Sequence, residues 1–101
     1  MADNLKGIPF SSEDEGKPYP EIAKDLVYKQ ACSLGVRIEH PTFSRDEVYV
    51  VWFTYVLGAW KAVCSTSLPD GRYYEVTFHK GRSVVFVDTY IKTHNVEVEI
   101  S

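Results

Sequence analysis

Cysteine is scarce: Cys32 and Cys64 are the only two in 101 residues. Their spacing fits neither a disulfide scaffold nor a zinc ribbon nor a redox CxxC pair. Both read as small buried hydrophobes, one in a predicted helix and one in a predicted strand. The opening stretch "MADNLKGIPFSSEDEGKP" lacks the apolar core of a signal peptide, and no later run is long enough to span a bilayer. A reduced, cytosolic setting is the expectation. Positive charge is also short, with 11 Lys+Arg against 14 Asp+Glu, a net −3. Binding to a phosphate backbone rests on clustered cations that release counterions, and no basic run occurs, so nucleic acid is disfavoured as a partner. Stacking of single-stranded bases on sheet aromatics would still need cations. Lys61, Arg72, Lys80, Arg82 and Lys92 are scattered and interleaved with Glu75 and Asp88.

Chemical motifs are missing as well. There is no glycine-rich phosphate loop, no GxSxG elbow and no HExxH pair. His40, His79 and His94 lie far apart without a second ligand at metal spacing, so neither a metal nor a cofactor is expected. Cys64 and His79 on neighbouring strands would make a nucleophile and base only if the thiol were activated. Cys64 shares its alternating set with Trp60 and Ala62, which places it in the core instead. Glu75 and Asp88 read as solvent-facing strand residues unless a pocket brings them together.

What the chain does have is apolar and aromatic material, 45% and 14% of its residues. That suffices for the core of one domain and argues against disorder for most of the length. Residues 1–19 read as an arm, with Ile8 and Phe10 flanking Pro9 so that the piece can lie extended against the domain or reach a second subunit. Residues 20–101 read as a single domain. Pro20 and Glu21 mark a helix start. Ile22, Ala23, Leu26, Val27, Ala31 and Leu34 form one apolar stripe, and Gly35 supplies a left-handed cap. Val36 and Ile38 offer a short edge strand.

Strands follow in quick succession. Residues 47–56 are apolar in both alternating sets, with Val48, Val50 and Trp52 on one side and Tyr49, Val51, Phe53 and Tyr55 on the other. Such a strand should sit centrally or be covered twice. Gly58 turns the chain into Trp60–Ser67, "LPDG" at 68–71 turns it into Arg72–His79, and "KG" at 80–81 makes a tight hairpin into Ser83–Lys92. "NVEVEI" at 95–100 alternates as a further strand would. The fold class is α+β: one N-terminal amphipathic helix packed on a four- to five-stranded antiparallel meander.

One helix covers one face, so the other should present large rings, because Tyr73 and Tyr74 point to opposite sides. Exposed aromatic patches mark interfaces, and Tyr and Trp carry much of the binding energy there. The candidate binding residues are Trp52, Trp60, Tyr73, Tyr74, Tyr49 and Tyr55. Their expected occupant is a protein partner or a second copy of the chain. The rival reading is a small-ligand pocket or minor enzyme lined by Glu75, His79, Asp88 and Cys64.

The run "EVYVVWF", then "LGAWKAVCSTSLPDGRYYEVTF", then "VDTY", resembles a family of small uncharacterised proteins encoded by phages and prophages of Gram-positive bacteria. Its WKA, PDG and YYE elements carry the resemblance, at Trp60, Lys61 and Ala62, at Pro69, Asp70 and Gly71, and at Tyr73, Tyr74 and Glu75. The likeness covers the sheet and a helix before it; the arm and "NVEVEI" fall outside it. The family has no assigned activity, so the resemblance transfers no catalytic residue. It implies a phage accessory protein acting in the cytoplasm of a bacterial host.

Overall fold

The computed structural model describes residues 8–9 and 18–100. In chain order they form β1 (Ile8–Pro9), α1 (Tyr19–Ser33), α2 (Val36–Glu39), β2 (Val48–Val56), β3 (Ala59–Thr66), β4 (Arg72–His79) and β5 (Val84–Ile91), with single 3-10 turns at Arg45–Glu47 and Lys80–Arg82.

Pro18 precedes α1 and Pro20 lies in its first turn, where a missing N–H leaves no bond unmade. The helix buries Ile22, Ala23, Val27 and Ala31. Leu34, expected on the same stripe, lies past the helix end and is exposed. Gly35 takes the left-handed conformation at φ 84°, and its N–H donates to Cys32 O at 3.1 Å. The chain then enters α2 rather than the expected edge strand. Ile38 N bonds Gly35 O and His40 N bonds Val36 O, both at 2.9 Å, so local helical bonds win over extension there.

The sheet is antiparallel in the order β1-β5-β4-β3-β2. Its meander of β2 to β5 agrees with the sequence reading, but two strand placements do not. β2, expected to sit centrally or to be covered on both faces, is an edge strand whose outer face has no cover among the described residues. The fifth strand is Ile8–Pro9, which pairs with Val85 and Val84; residues 92–100 form no strand and are exposed. Phe10 lies outside the described residues.

The apolar look of β2 on both sides has a local cause. Its register to β3 slips between Val50 and Trp52, a β-bulge at Val51. A bulge adds one residue and resets the alternation. Val48 and Val50 pair with Thr66 and Cys64, and after the bulge Phe53 and Tyr55 pair with Ala62 and Trp60. All four therefore face α1. Tyr49, Trp52 and Thr54 pair with Ser65, Val63 and Lys61 and face away. The two sets read from strict alternation are thus each divided between the two faces.

The core lies between α1 and the sheet. It comprises the buried helix residues with Phe43, Val48, Trp60, Ala62, Cys64, Tyr74, Val76 and Val85. At one end Tyr19 stacks on Tyr55 and Trp60, with ring centroids 5.6 and 5.4 Å apart, an arrangement that adds to simple area burial. Arg45 ties α1 to the turn before β2 through Glu21 Oε1 at 2.8 Å and Asp25. Glu47 closes the β2–β3 hairpin at its open end: its carboxylate accepts from Ser44 N at 3.2 Å and from Ser67 Oγ at 2.7 Å.

Two predictions follow from local geometry. Leu57 and Gly58 join β2 to β3 with φ of 52° and 87°, both left-handed, as in a type I′ turn, where Asn-Gly is favoured. Leucine is strained there, so Leu57→Asn should raise stability by about 1 kcal/mol in urea unfolding; no gain would mean the turn is not of this kind. The second concerns acid. The hydrogen bond from Arg45, helped by Lys24, holds the Glu21 carboxyl below its ordinary 4.5. A depressed folded-state value gives stability that is complete above that ordinary value and is lost as pH falls through the folded one. Urea midpoints measured through this acid range should fall less steeply in Glu21→Gln than in the parent chain.

Candidate functional site

The face of the sheet opposite α1 has no covering element among the described residues. Register fixes what it presents. Tyr49 of β2 is opposite Ser65 of β3, which is opposite Tyr73 of β4, which is opposite Tyr90 of β5. This transverse row is aromatic at three of its four positions. Tyr73 and Tyr90 stack with centroids 5.0 Å apart and planes 14° from parallel. The next row on the same face holds Trp52, Val63, Glu75 and Asp88. Tyr49 and Trp52 are each 50% exposed, Tyr73 41% and Tyr90 40%, so each ring offers one wet side while its stem packs on the sheet.

At the first row the face hollows into a depression of about 620 Å³, lined by Tyr49, Val51, Val63, Ser65 and Tyr73 together with the 68–72 loop and Lys92. That volume lies within the range of small-ligand and peptide-side-chain pockets, roughly 300–1,000 Å³. The "LPDG" turn builds its rim. Asp70 Oδ1 accepts from Arg72 N at 3.1 Å, Gly71 sits at φ 71°, and Gly71 O accepts from Lys92 N at 2.7 Å. The guanidinium of Arg72 lies 3.4 Å from Asp70, and Lys92 adds a second cation. Rings thus lie on the floor, with Lys92 and the Arg72–Asp70 pair at the rim.

Beside the aromatic row, Glu75 and Asp88 face each other directly across β4 and β5. Like charges at such positions destabilise a sheet; here Lys61 Nζ stands 3.6 Å from Glu75 and the Tyr90 hydroxyl donates to it at 3.5 Å. The negative charge of Glu75 raises the Tyr90 phenol above its usual value, which keeps it a donor.

The six sequence candidates separate into three groups. Tyr49, Trp52 and Tyr73 lie on the open face. Trp60 and Tyr74 are core residues, 2% and 1% exposed, and leave the candidate set: Trp60 stacks on Phe78 under the helix, and its Nε1 has no acceptor among the described residues, so its ring is held for its area. Tyr55 lies on the helix side at the sheet edge, against Tyr19. Tyr90, Val51, Arg72 and Lys92 belong to the site and were not singled out from sequence. Tyr90 becomes visible only once the β4–β5 register is known.

Of the four residues of the rival pocket, Glu75, Asp88 and His79 share the open face and Cys64 does not. Cys64 is wholly buried on the helix side, and burial pushes its thiol up to about 11, the reverse of what a nucleophile needs. His79 is on the open face, where it packs edge-on against Phe86 at 5.5 Å. The sheet therefore stands between them. Among the described residues no group of three His, Cys, Asp or Glu side chains is placed to hold a metal ion, and no helix is long and apolar enough to cross a membrane.

Fold and face together define a class: a small α+β domain whose meander has one helix-covered face and one open aromatic face. The chain belongs to a family of unknown function (DUF6275), whose model matches residues 20–100. That match takes in the helix, as the resemblance implied, and also residues 95–100, which the resemblance had left outside the family. No curated protein and no solved structure matches the chain.

Core and surface rings should separate cleanly in unfolding experiments. Trp60→Ala and Tyr74→Ala should each cost roughly 3–5 kcal/mol. Tyr49→Ala and Tyr73→Ala should each cost about 1 kcal/mol or less, the scale of a cross-strand contact. Equal losses at all four positions would put the open face inside a core.

Proposed function

We propose that this protein is a non-enzymatic binding module whose open sheet face docks a segment of a protein partner. The observation that supports the reading most is the row Tyr49, Ser65, Tyr73 and Tyr90, with Trp52 behind it, on the one face that α1 leaves bare. Aromatic side chains of this kind carry binding energy at low entropic cost, since few torsions must be fixed. The resemblance of "WKA", "PDG" and "YYE" to phage and prophage proteins supports a setting in the cytoplasm of a bacterial host, where a small accessory protein acts by engaging host or phage proteins. That step is an analogy of family, not of chemistry.

The test is capture from bacterial host lysate by the immobilised parent chain and by a Tyr49→Ala/Tyr73→Ala double variant of verified fold. The expected result is a protein retained by the parent and lost by the variant, with binding weakened by about 2 kcal/mol or more. Trp60 and Tyr74 are unsuitable positions because their truncation unfolds the core. A protein retained equally by both chains would place the contact elsewhere and overturn the reading.

A further inference from the structure

β2 is an edge strand, with β3 on one side and no strand among the described residues on the other. Its nine residues, VYVVWFTYV, include no charge, no proline and no glycine. Val51, Trp52, Tyr55 and Val56 are exposed along it. Soluble proteins ordinarily guard such edges with charge, proline or brevity, because free N–H and C=O groups template further pairing. The opposite edge is guarded in this way. β1 places Pro9 beside Val84, and β5 carries Asp88. Among the described residues β2 has a single guard, the bulge at Val51, and beyond it Trp52–Val56 runs in unbroken register.

We propose that β2 pairs antiparallel with β2 of a second copy, across a two-fold axis perpendicular to the sheet that passes midway between the two Thr54 residues. An antiparallel edge is self-complementary, which a two-fold contact requires. Centring on Thr54 sets Tyr55 against the second copy's Phe53, and Val56 against its Trp52. The faces match at every pair. Phe53 and Tyr55 both lie on the helix side, opposite Ala62 and Trp60, while Trp52, Thr54 and Val56 all lie on the open side, opposite Val63, Lys61 and Ala59. Each cross pair is aromatic, aromatic with β-branched, or Thr with Thr, the types that stabilise neighbouring strands. No like charges meet, because β2 carries none. A centre nearer Val48 would run the new ladder through the bulge. The arrangement joins two open faces into one and keeps both helices on the same side. It does not rest on the partner reading: the Trp52–Val56 edge has no neighbouring strand among the described residues whatever the open face binds.

Sedimentation equilibrium of the full chain tests it, and the expected mass is twice the 11.5 kDa of one chain. Thr54→Glu is the decisive variant. Within one chain it places a carboxylate opposite Lys61, a favourable cross-strand pair, but across the axis it brings two carboxylates together. It should therefore fold, by circular dichroism, and sediment as one chain. Thr54→Lys faces Lys61 within its own chain and so should lose some stability. Where circular dichroism shows it folded, it should also sediment as one chain, and an equal mixture of the two should recover the double mass, since unlike charges then meet. A parent chain that stays at single mass at its highest soluble concentration overturns the proposal. So does a folded Thr54→Glu that keeps the double mass. A dimer that survives Thr54→Glu and is abolished by Val98→Lys also overturns it, and assigns the contact to residues 95–100.

Discussion

A meander has two faces, and among the described residues this chain has one long helix to cover them. That constraint orders the rest of the structure. Burial of Ile22, Ala23, Val27 and Ala31 against Ala62, Cys64, Tyr74 and Val76 is the main source of apolar stabilisation in a domain of this size. It can serve only one side of the sheet. The small residues at Ala23, Ala31, Ala62 and Cys64 are wholly buried, so helix and sheet lie close where they meet. Large rings fill the space at the ends, with Trp60, Phe78 and Tyr19 at one end and Tyr28 with Phe43 elsewhere.

The open face is built from what that burial leaves over. It keeps strand-forming residues, since β-branched and aromatic types fit a pleated, half-wet surface, yet it mixes them with Lys61, Glu75, Asp88, Ser65 and Thr77. Tyrosine suits this position: its ring packs against the neighbouring strand and its hydroxyl stays in water. The depression beneath the 68–71 turn gives that face relief as well as composition, with Arg72 and Lys92 as its cations.

Much of this was legible in the sequence. The helix, the four strands of the meander and the turns at Gly58 and 68–71 follow from periodicity and turn chemistry. So does the prediction that Tyr73 and Tyr74 face opposite ways. What stayed hidden depends on register. The bulge at Val51 has no glycine or other marker, so strict alternation put Phe53 and Tyr55 with Tyr49, whereas they lie on the other face. "KG" at 80–81 suggested a tight turn, which would have set Tyr73 against Asp88; the loop in fact spans residues 80–83, with Ser83 at φ 52°, and Tyr73 meets Tyr90. Edge and centre are not separable by hydrophobicity either. A run such as VYVVWF is the same string whether a neighbouring strand or a second molecule completes it, so β2 looked central. Residues 95–100 alternate as a strand does, but alternation specifies a face and not a partner.

The two tryptophans stand on opposite faces, which makes them reporters of the central claim that one side of the sheet is core and the other is a recognition surface. The most direct measurement is fluorine NMR of the chain labelled with fluorotryptophan, alone with a soluble paramagnet and then with the captured partner. The account predicts that the Trp52 resonance is broadened by the paramagnet, is protected and shifted by the partner, and that Trp60 is unmoved in both. A Trp52 signal as shielded as that of Trp60 in the isolated protein, or a partner that shifts Trp60 and leaves Trp52 unchanged, would contradict it.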